Sequence, residues 1–159
     1  MLLAMRADVR ERQEQDLEKA VSHILEEGRM LIPGIQALFG FQLIAVFSDR
    51  FEHGLAPPEQ RLHLAALVLS AVSFALATAP ATYHRIVEPR AISGGFARYA
   101  SRLLAAAMVP LMVGMALDVH LIARLVLGDV RDAAVVAGAL LVLFAGLWFV
   151  YPAVHRGRR

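Results

Sequence analysis

The chain has 159 residues, of which 58% are hydrophobic and only 19% charged. That length suits one domain, but the apolar share exceeds the roughly 45–50% of a soluble domain, and a soluble globule of this size has too little interior to hide it. The absence of cysteine excludes a disulfide scaffold, and a formal net charge of +2 gives no ground for a nucleic-acid partner.

In chain order, residues 1–29 form a charged opening segment. Leu17, Val21, Ile24 and Leu25 follow the i, i+4, i+7, i+8 spacing of one helical stripe. Two readings stand: a docking, self-associating or membrane-surface helix, or an extension that caps the cytoplasmic end of the bundle. The acids between Asp8 and Glu27 disfavour adhesion to anionic lipid. Gly28 is expected to break this helix before the membrane. "MLLAM" is too short an apolar run, and too closely followed by charge, to suggest a cleavable signal peptide.

Residues 30–151 then contain four stretches able to span a bilayer, which needs about 20 residues. They run over about 30–47, 62–81, 103–127 and 133–151, and a basic tail follows at 152–159. Gly54, Pro57 and Pro58 break the first connection, with Pro58 suited to open the second helix. Pro89, Gly94 and Gly95 break the next, and Gly128 and Asp129 turn the third helix into the fourth. Pro33 and Pro110 are expected to bend the first and third helices. In lipid an isolated strand leaves its backbone unpaired, so each span must be helical. A soluble bundle would need a polar face on every helix, and "AAVVAGALLVLFAGLWFVY" has none. The expected fold is therefore all-α: an integral membrane four-helix bundle with an amphipathic N-terminal cytoplasmic helix. Twelve Lys and Arg flank one side of these spans and four (Arg50, Arg61, Arg124 and Arg131) the other, which predicts both termini in the cytoplasm. Tyr83, Trp148 and Tyr151 suit interface anchors on that side.

The segments "GIQALFGFQLIAVFSDRF" and "ATAPATYHRI" carry a resemblance. A G-x-Q-x-L-F-x-F helix ending in F-S-x-R-F, then a second helix ending in A-P-x-x-Y-H-R, resembles an uncharacterised family of small bacterial four-helix membrane proteins, a domain of unknown function. The matching positions include Gly34, Gln36, Phe39, Phe41, Ser48, Arg50, Pro80, Tyr83, His84 and Arg85. The resemblance covers roughly residues 20–150 and implies the bacterial inner membrane, without an activity. Such proteins are sometimes labelled sodium:proton antiporters.

Polar groups within membrane helices are costly and mark candidate sites. Gln36 and Gln42 lie about 9 and 18 Å into the first helix at 1.5 Å per residue, and Ser70, Ser73 and Thr78 reach similar depths on the second. These five groups could hydrogen-bond between the two helices, as packing glue or as part of an ion path. Small residues at 71, 75 and 79 and at 73, 77 and 81 favour close helix contact. Near the outer leaflet lie Asp118, His120 and Arg124 on the third helix, His63 on the second, and Arg50 after the first. An unpaired Asp118 carboxylate would be expensive there, so it should pair with Arg50, His63 or Arg124. The cluster is either a structural ion pair or a proton-exchanging carboxylate–imidazole pair. Tyr83, His84, Arg85 and Glu88 form a second cluster that could anchor the interface, hold lipid head groups or meet the N-terminal helix.

No cofactor is expected, although His63 and His120 at one depth could flank a haem. His63, His120, Asp118 and Glu52 have no diagnostic metal spacing, and neither a nucleophile framework nor a phosphate loop is present. The expected protein is non-enzymatic, embedded in lipid, and self-associating or an accessory subunit of a membrane partner. A proton or cation channel or transporter built on Asp118, and a b-type haem subunit, are the alternatives.

Overall fold

The protein is described here by a computed structural model covering residues 1–87 and 93–156. The described residues are helical throughout: α1 (Leu2–Ala45), α2 (Asp49–Gly54), α3 (Pro57–Val87), α4 (Gly94–Leu127), α5 (Val130–Ala145), a π-helical stretch (Gly146–Val150) and α6 (Tyr151–Arg156). Four helical stretches are long and apolar enough to cross a membrane: Glu11–Ala45, Pro57–Val87, Gly94–Leu127 and Val130–His155.

Side chains set the ends of these helices. Ser48 Oγ accepts the Phe51 amide at 3.2 Å to open α2. Glu59 reaches back to the Ala56 amide at 2.8 Å, so α3 begins at Pro57, one residue before the expected opening at Pro58 and a turn ahead of the apolar span from 62. Ser93 caps α4 through the Phe96 amide at 3.0 Å, which starts that helix at Gly94, not near 103. Gly128 ends α4 with φ +77, a left-handed conformation that glycine adopts without a Cβ penalty. Asp129 then accepts the Arg131 and Asp132 amides at 2.6 and 3.2 Å to start α5, as the Gly-Asp pair predicted.

The expected break at Gly28 does not occur: α1 is one helix of 44 residues that passes through both Gly28 and Pro33. Gly28 is a buried contact point, not a terminator. The position a Cβ would occupy lies 3.5 Å from Leu104 Cδ2 and 3.8 Å from the Ala77 carbonyl oxygen. The fully buried positions of α1 are Val21, Gly28, Ile35 and Gln42, spaced seven apart. On α3 the buried set is His63, Ala66, Ser70, Ser73, Ala77 and Pro80, and on α4 it includes Ala100, Leu104, Ala107, Leu111 and Gly114. Both sets alternate steps of three and four, the heptad rhythm that keeps a seam facing its partner along the helix length. The N-terminal stripe is thus one end of a continuous seam: Val21, Ile24 and Leu25 pack with Phe96, Ala100 and Tyr83. Because the Gly28 contacts are ordinary van der Waals distances, Gly28→Ala should leave thermal stability in detergent unchanged or raise it slightly, alanine being favoured over glycine in helices by up to about 1 kcal/mol.

α3 and α4 share the most extensive interface, and α1 packs on both. Ser73 donates to the Ala107 carbonyl at 2.8 Å, so the small-residue ridge of α3 meets α4. Of the two predicted ridges, Ser73 and Ala77 are buried while Ala71, Ala75 and Ala81 are exposed. α1, α3 and α4 form the core, and α5 packs chiefly along α4, with Ala133 its buried residue. Trp148, beyond α5, stacks on Phe144 with ring centroids 4.7 Å apart and reaches the central cluster around Leu104 and Ala107.

Candidate functional site

The heptad seams of α1, α3 and α4 bring three polar side chains together near one end of the core. Gln42 stands on the α1 seam one turn before the helix ends at Ala45, His63 lies in the second turn of α3, and Asp118 occupies the seam position between Gly114 and Leu121 on α4. Gln42 Nε2 donates to Asp118 Oδ2 at 2.5 Å. His63 Nε2 lies 2.9 Å from the Gln42 carbonyl oxygen, and His63 Nδ1 lies 3.5 Å from Asp118 Oδ1. The His63 and Asp118 side chains are 8% and 15% exposed, and Phe51 sets its ring against His63, 5.2 Å between centroids at 67°.

These partners determine where hydrogen must be. A backbone carbonyl only accepts, so Nε2 of His63 carries hydrogen and donates to Gln42. In a neutral ring Nδ1 is then a bare lone pair, and it faces a carboxylate oxygen. A proton between the two satisfies both, and the dyad then stands either as carboxylic acid with imidazole or as carboxylate with imidazolium. In both forms its net charge is zero, the condition under which an aspartate is affordable at membrane depth.

A cavity of about 230 Å³ opens beside the dyad, between the end of α1, α2 and the last turns of α4. Leu38, Phe41, Phe51 and Leu121 give it apolar walls, and Gln42, His63 and Asp118 its polar corner. Gln42 Oε1 is buried there with no hydrogen-bond partner among the described residues.

The other predicted residues fall elsewhere. Of the three proposed partners of Asp118, His63 takes the role. Arg124 instead lies 3.5 Å from Glu59 Oε1 and donates to the Gly128 carbonyl at 2.7 Å. The Arg50 side chain lies outside the described residues, as does Glu88 of the second cluster. His120, two residues from Asp118, points off the seam and does not line the cavity. The hydrogen-bonded path proposed between the first two spans is not formed. Gln36 is exposed in a groove between α1 and Ala71 and Phe74 of α3, Thr78 donates to the Phe74 carbonyl of its own helix at 2.9 Å, Ser73 bonds to α4, and Ser70 is buried without a partner among the described residues. No group of three or more metal-binding side chains stands together among the described residues.

Glu59 was not singled out in the sequence, although it precedes His63 by four residues and so shares its helical face. Phe51 was read only as the last position of the F-S-x-R-F motif, and the period-seven placement of Gln42 with Val21 and Ile35 was legible and overlooked. At the opposite end, Tyr83 stacks on Phe96 at 5.9 Å and meets Tyr99 at 4.8 Å with the rings tilted by 43°, and His84 meets Phe96 at 5.3 Å. This cluster ties α3 to the first turn of α4 and, through Val21 and Ile24, to α1. His84 and Arg85 also line a groove of about 360 Å³ with Gly28 and Arg29.

No curated protein and no solved structure matches the chain. A family model does, over residues 10–152, which takes in α3, α4 and α5 entirely and nearly all of the α1 seam. The chain thus belongs to the family described as a family of unknown function (DUF6328).

Proposed function

We propose that this chain is a non-enzymatic protein of the bacterial inner membrane in which the His63–Asp118 dyad carries an exchangeable proton and serves the movement of protons or other cations. The observation that carries this reading is the commitment of His63 Nε2 to the Gln42 carbonyl at 2.9 Å, which turns Nδ1 toward Asp118. A purely packing role is met more cheaply by apolar residues, since a buried ion pair rarely repays its desolvation. Imidazole is the side chain suited to exchange near neutral pH.

Infrared difference spectra recorded across steps between about pH 4 and 9, the range spanned by ordinary carboxyl and imidazole titration, test the dyad directly. The expected result is a carboxyl C=O band that Asp118→Asn removes. A wild-type spectrum without it would leave the pair a permanent structural contact.

Orientation follows the twelve-to-four asymmetry of Lys and Arg. A C-terminal fluorescent-protein fusion should be bright and a C-terminal alkaline phosphatase fusion inactive; the reverse pattern would invert the topology.

Self-association is a compatible second reading. It is favoured by α5, which buries Ala133 alone, and by Gln36, a polar group on an exposed face of an apolar span. The haem alternative needs an unengaged His63 nitrogen, whereas both nitrogens face protein acceptors; we set it aside.

A further inference from the structure

We infer that the cavity beside Asp118 binds a small hydrophobic ammonium ion, a protonated alkylamine, which enters from the lipid and displaces the dyad proton. The inference rests on the exchangeable proton proposed above and adds the class of ligand that takes its place.

The polar corner of the cavity is short of donors. Gln42 turns one of its two Nε2–H donors to Asp118, and His63 spends Nε2–H on the Gln42 carbonyl. The Ser48 hydroxyl, also at the rim, donates to the Ala45 carbonyl at 2.7 Å. What remains is acceptor capacity: the buried Gln42 Oε1, which has no partner among the described residues, and the Asp118 carboxylate once its proton leaves. An anion finds at most one amide N–H there, beside a carboxylate that repels it. A hard metal cation typically seeks six or more oxygen ligands, far more than this corner supplies. An alkylammonium brings three N–H donors, for Gln42 Oε1, Asp118 and the His63 Nδ1 lone pair left bare when the proton leaves, with a positive charge for the carboxylate and an apolar body for the remaining walls. Phe41 and Phe51 add ring faces that favour a cation.

The way in is lateral. Phe41 and Ile122, both lining the cavity, are 72% and 61% exposed on the outer surfaces of α1 and α4. In a bilayer those surfaces face lipid, where an amphiphilic amine partitions. The volume of about 230 Å³ lies below the usual range of roughly 300–1,000 Å³ for ligand pockets, so the ligand is small, with a short alkyl chain.

The exchange balances. The resting dyad holds one proton at zero net charge; R–NH3+ enters, the dyad releases H+ to water, and the site holds carboxylate, neutral imidazole and ammonium. One positive charge enters and one leaves, and only O–H or N–H bonds change. Near neutral pH the ammonium itself stays protonated, as lysine does with its pKa of about 10.4, so the released proton comes from the dyad.

The full chain, purified in detergent and weakly buffered with a pH-indicating dye, is titrated with hexylammonium chloride, with hexanol as the uncharged isostere, and with sodium chloride. Hexylammonium should release about one proton per chain, saturably, while hexanol and sodium release none. Asp118→Asn should abolish the release and weaken binding at least about tenfold, the loss expected for one charged hydrogen bond. Ala45→Phe, which fills the cavity from its α1 wall, should weaken hexylammonium binding while the Asp118 infrared band still titrates. Equal release by sodium would overturn the amine assignment and leave proton exchange standing. No release by any cation, with the infrared band intact, would overturn the amine site alone. Loss of the infrared band as well would overturn the exchangeable dyad beneath it.

Discussion

Asp118→Asn is expected to reduce proton flux through reconstituted vesicles to that of protein-free liposomes while leaving the fold intact. The substitution removes the exchangeable proton and little else. Asparagine has the shape of aspartate; its Oδ1 can accept from Gln42 Nε2, now 2.5 Å from Asp118, and its Nδ2–H can donate to His63 Nδ1, 3.5 Å from the carboxylate. Every bond of the wild-type triad keeps a counterpart, so stability should change by less than about 1 kcal/mol, the net worth of an ordinary hydrogen bond. Gln42→Ala provides the opposite control. It strips Asp118 Oδ2 of its donor and should lower stability by about 1–3 kcal/mol, the cost of an unsatisfied buried group. Flux measured with a pH-sensitive dye trapped inside vesicles separates the two readings of the dyad. Unchanged flux in a well-folded Asp118→Asn protein would identify a structural contact, and wild-type flux no higher than that of empty liposomes would end the proton-movement reading.

The helices were legible because lipid leaves the backbone one economical solution, and four apolar stretches of sufficient length announce themselves. The turn chemistry was equally plain at Gly128 and Asp129, whose left-handed φ and capping carboxylate follow from residue type. The misreadings share a cause. Gly28 and the flanking charges suggested a boundary, yet glycine in a helix marks close approach as often as a break, and its neighbour here is Leu104, far away in sequence. Hydropathy located the apolar core of α3 but not its first turn, where Glu59 and Pro57 start the helix in polar surroundings.

The candidate site divides along the same line. That Asp118 needed a partner followed from the cost of a carboxylate in a membrane, and His63 was among the three proposed. Choosing between them required the register of α3 against α4, which depends on side chains meeting across helices and not on depth. Depth arithmetic put Thr78 level with Gln36, and Ser70 and Ser73 level with Gln42, whereas rotation about the helix axis separates them: Gln36 is exposed, Thr78 bonds to its own helix and Ser73 bonds to α4. The seven-residue spacing of Val21, Gly28, Ile35 and Gln42 was the signal that fixes rotation, and it points Gln42 inward, toward Asp118.

That register is open to a second decisive test, at Gly114. A Cβ built there would lie 3.2 Å from the Ala66 carbonyl oxygen, 3.5 Å from Leu69 Cβ and 3.6 Å from Ser70 Oγ. The nearest of these is backbone, in a helix whose Ala66 is 0% exposed, so it cannot swing aside as a long side chain would. Gly114→Ala should cost about 1 kcal/mol and Gly114→Leu about 3 kcal/mol or more, the upper range for overpacking a filled interface. The damage should also reach the site, since Gly114 is one turn from Asp118 and parting α3 from α4 pulls His63 away from the carboxylate. Gly114→Leu is therefore expected to melt earlier in detergent and to lose the Asp118 infrared band together. Gly138→Leu on α5 is the matched comparison: nothing lies within 4 Å of its Cβ position, and the exposed face should accept leucine within about 0.5 kcal/mol. A Gly114→Leu protein with the wild-type melting temperature would mean that α3 and α4 do not meet in this register, and the Gln42–Asp118–His63 triad would lose the scaffold that assembles it.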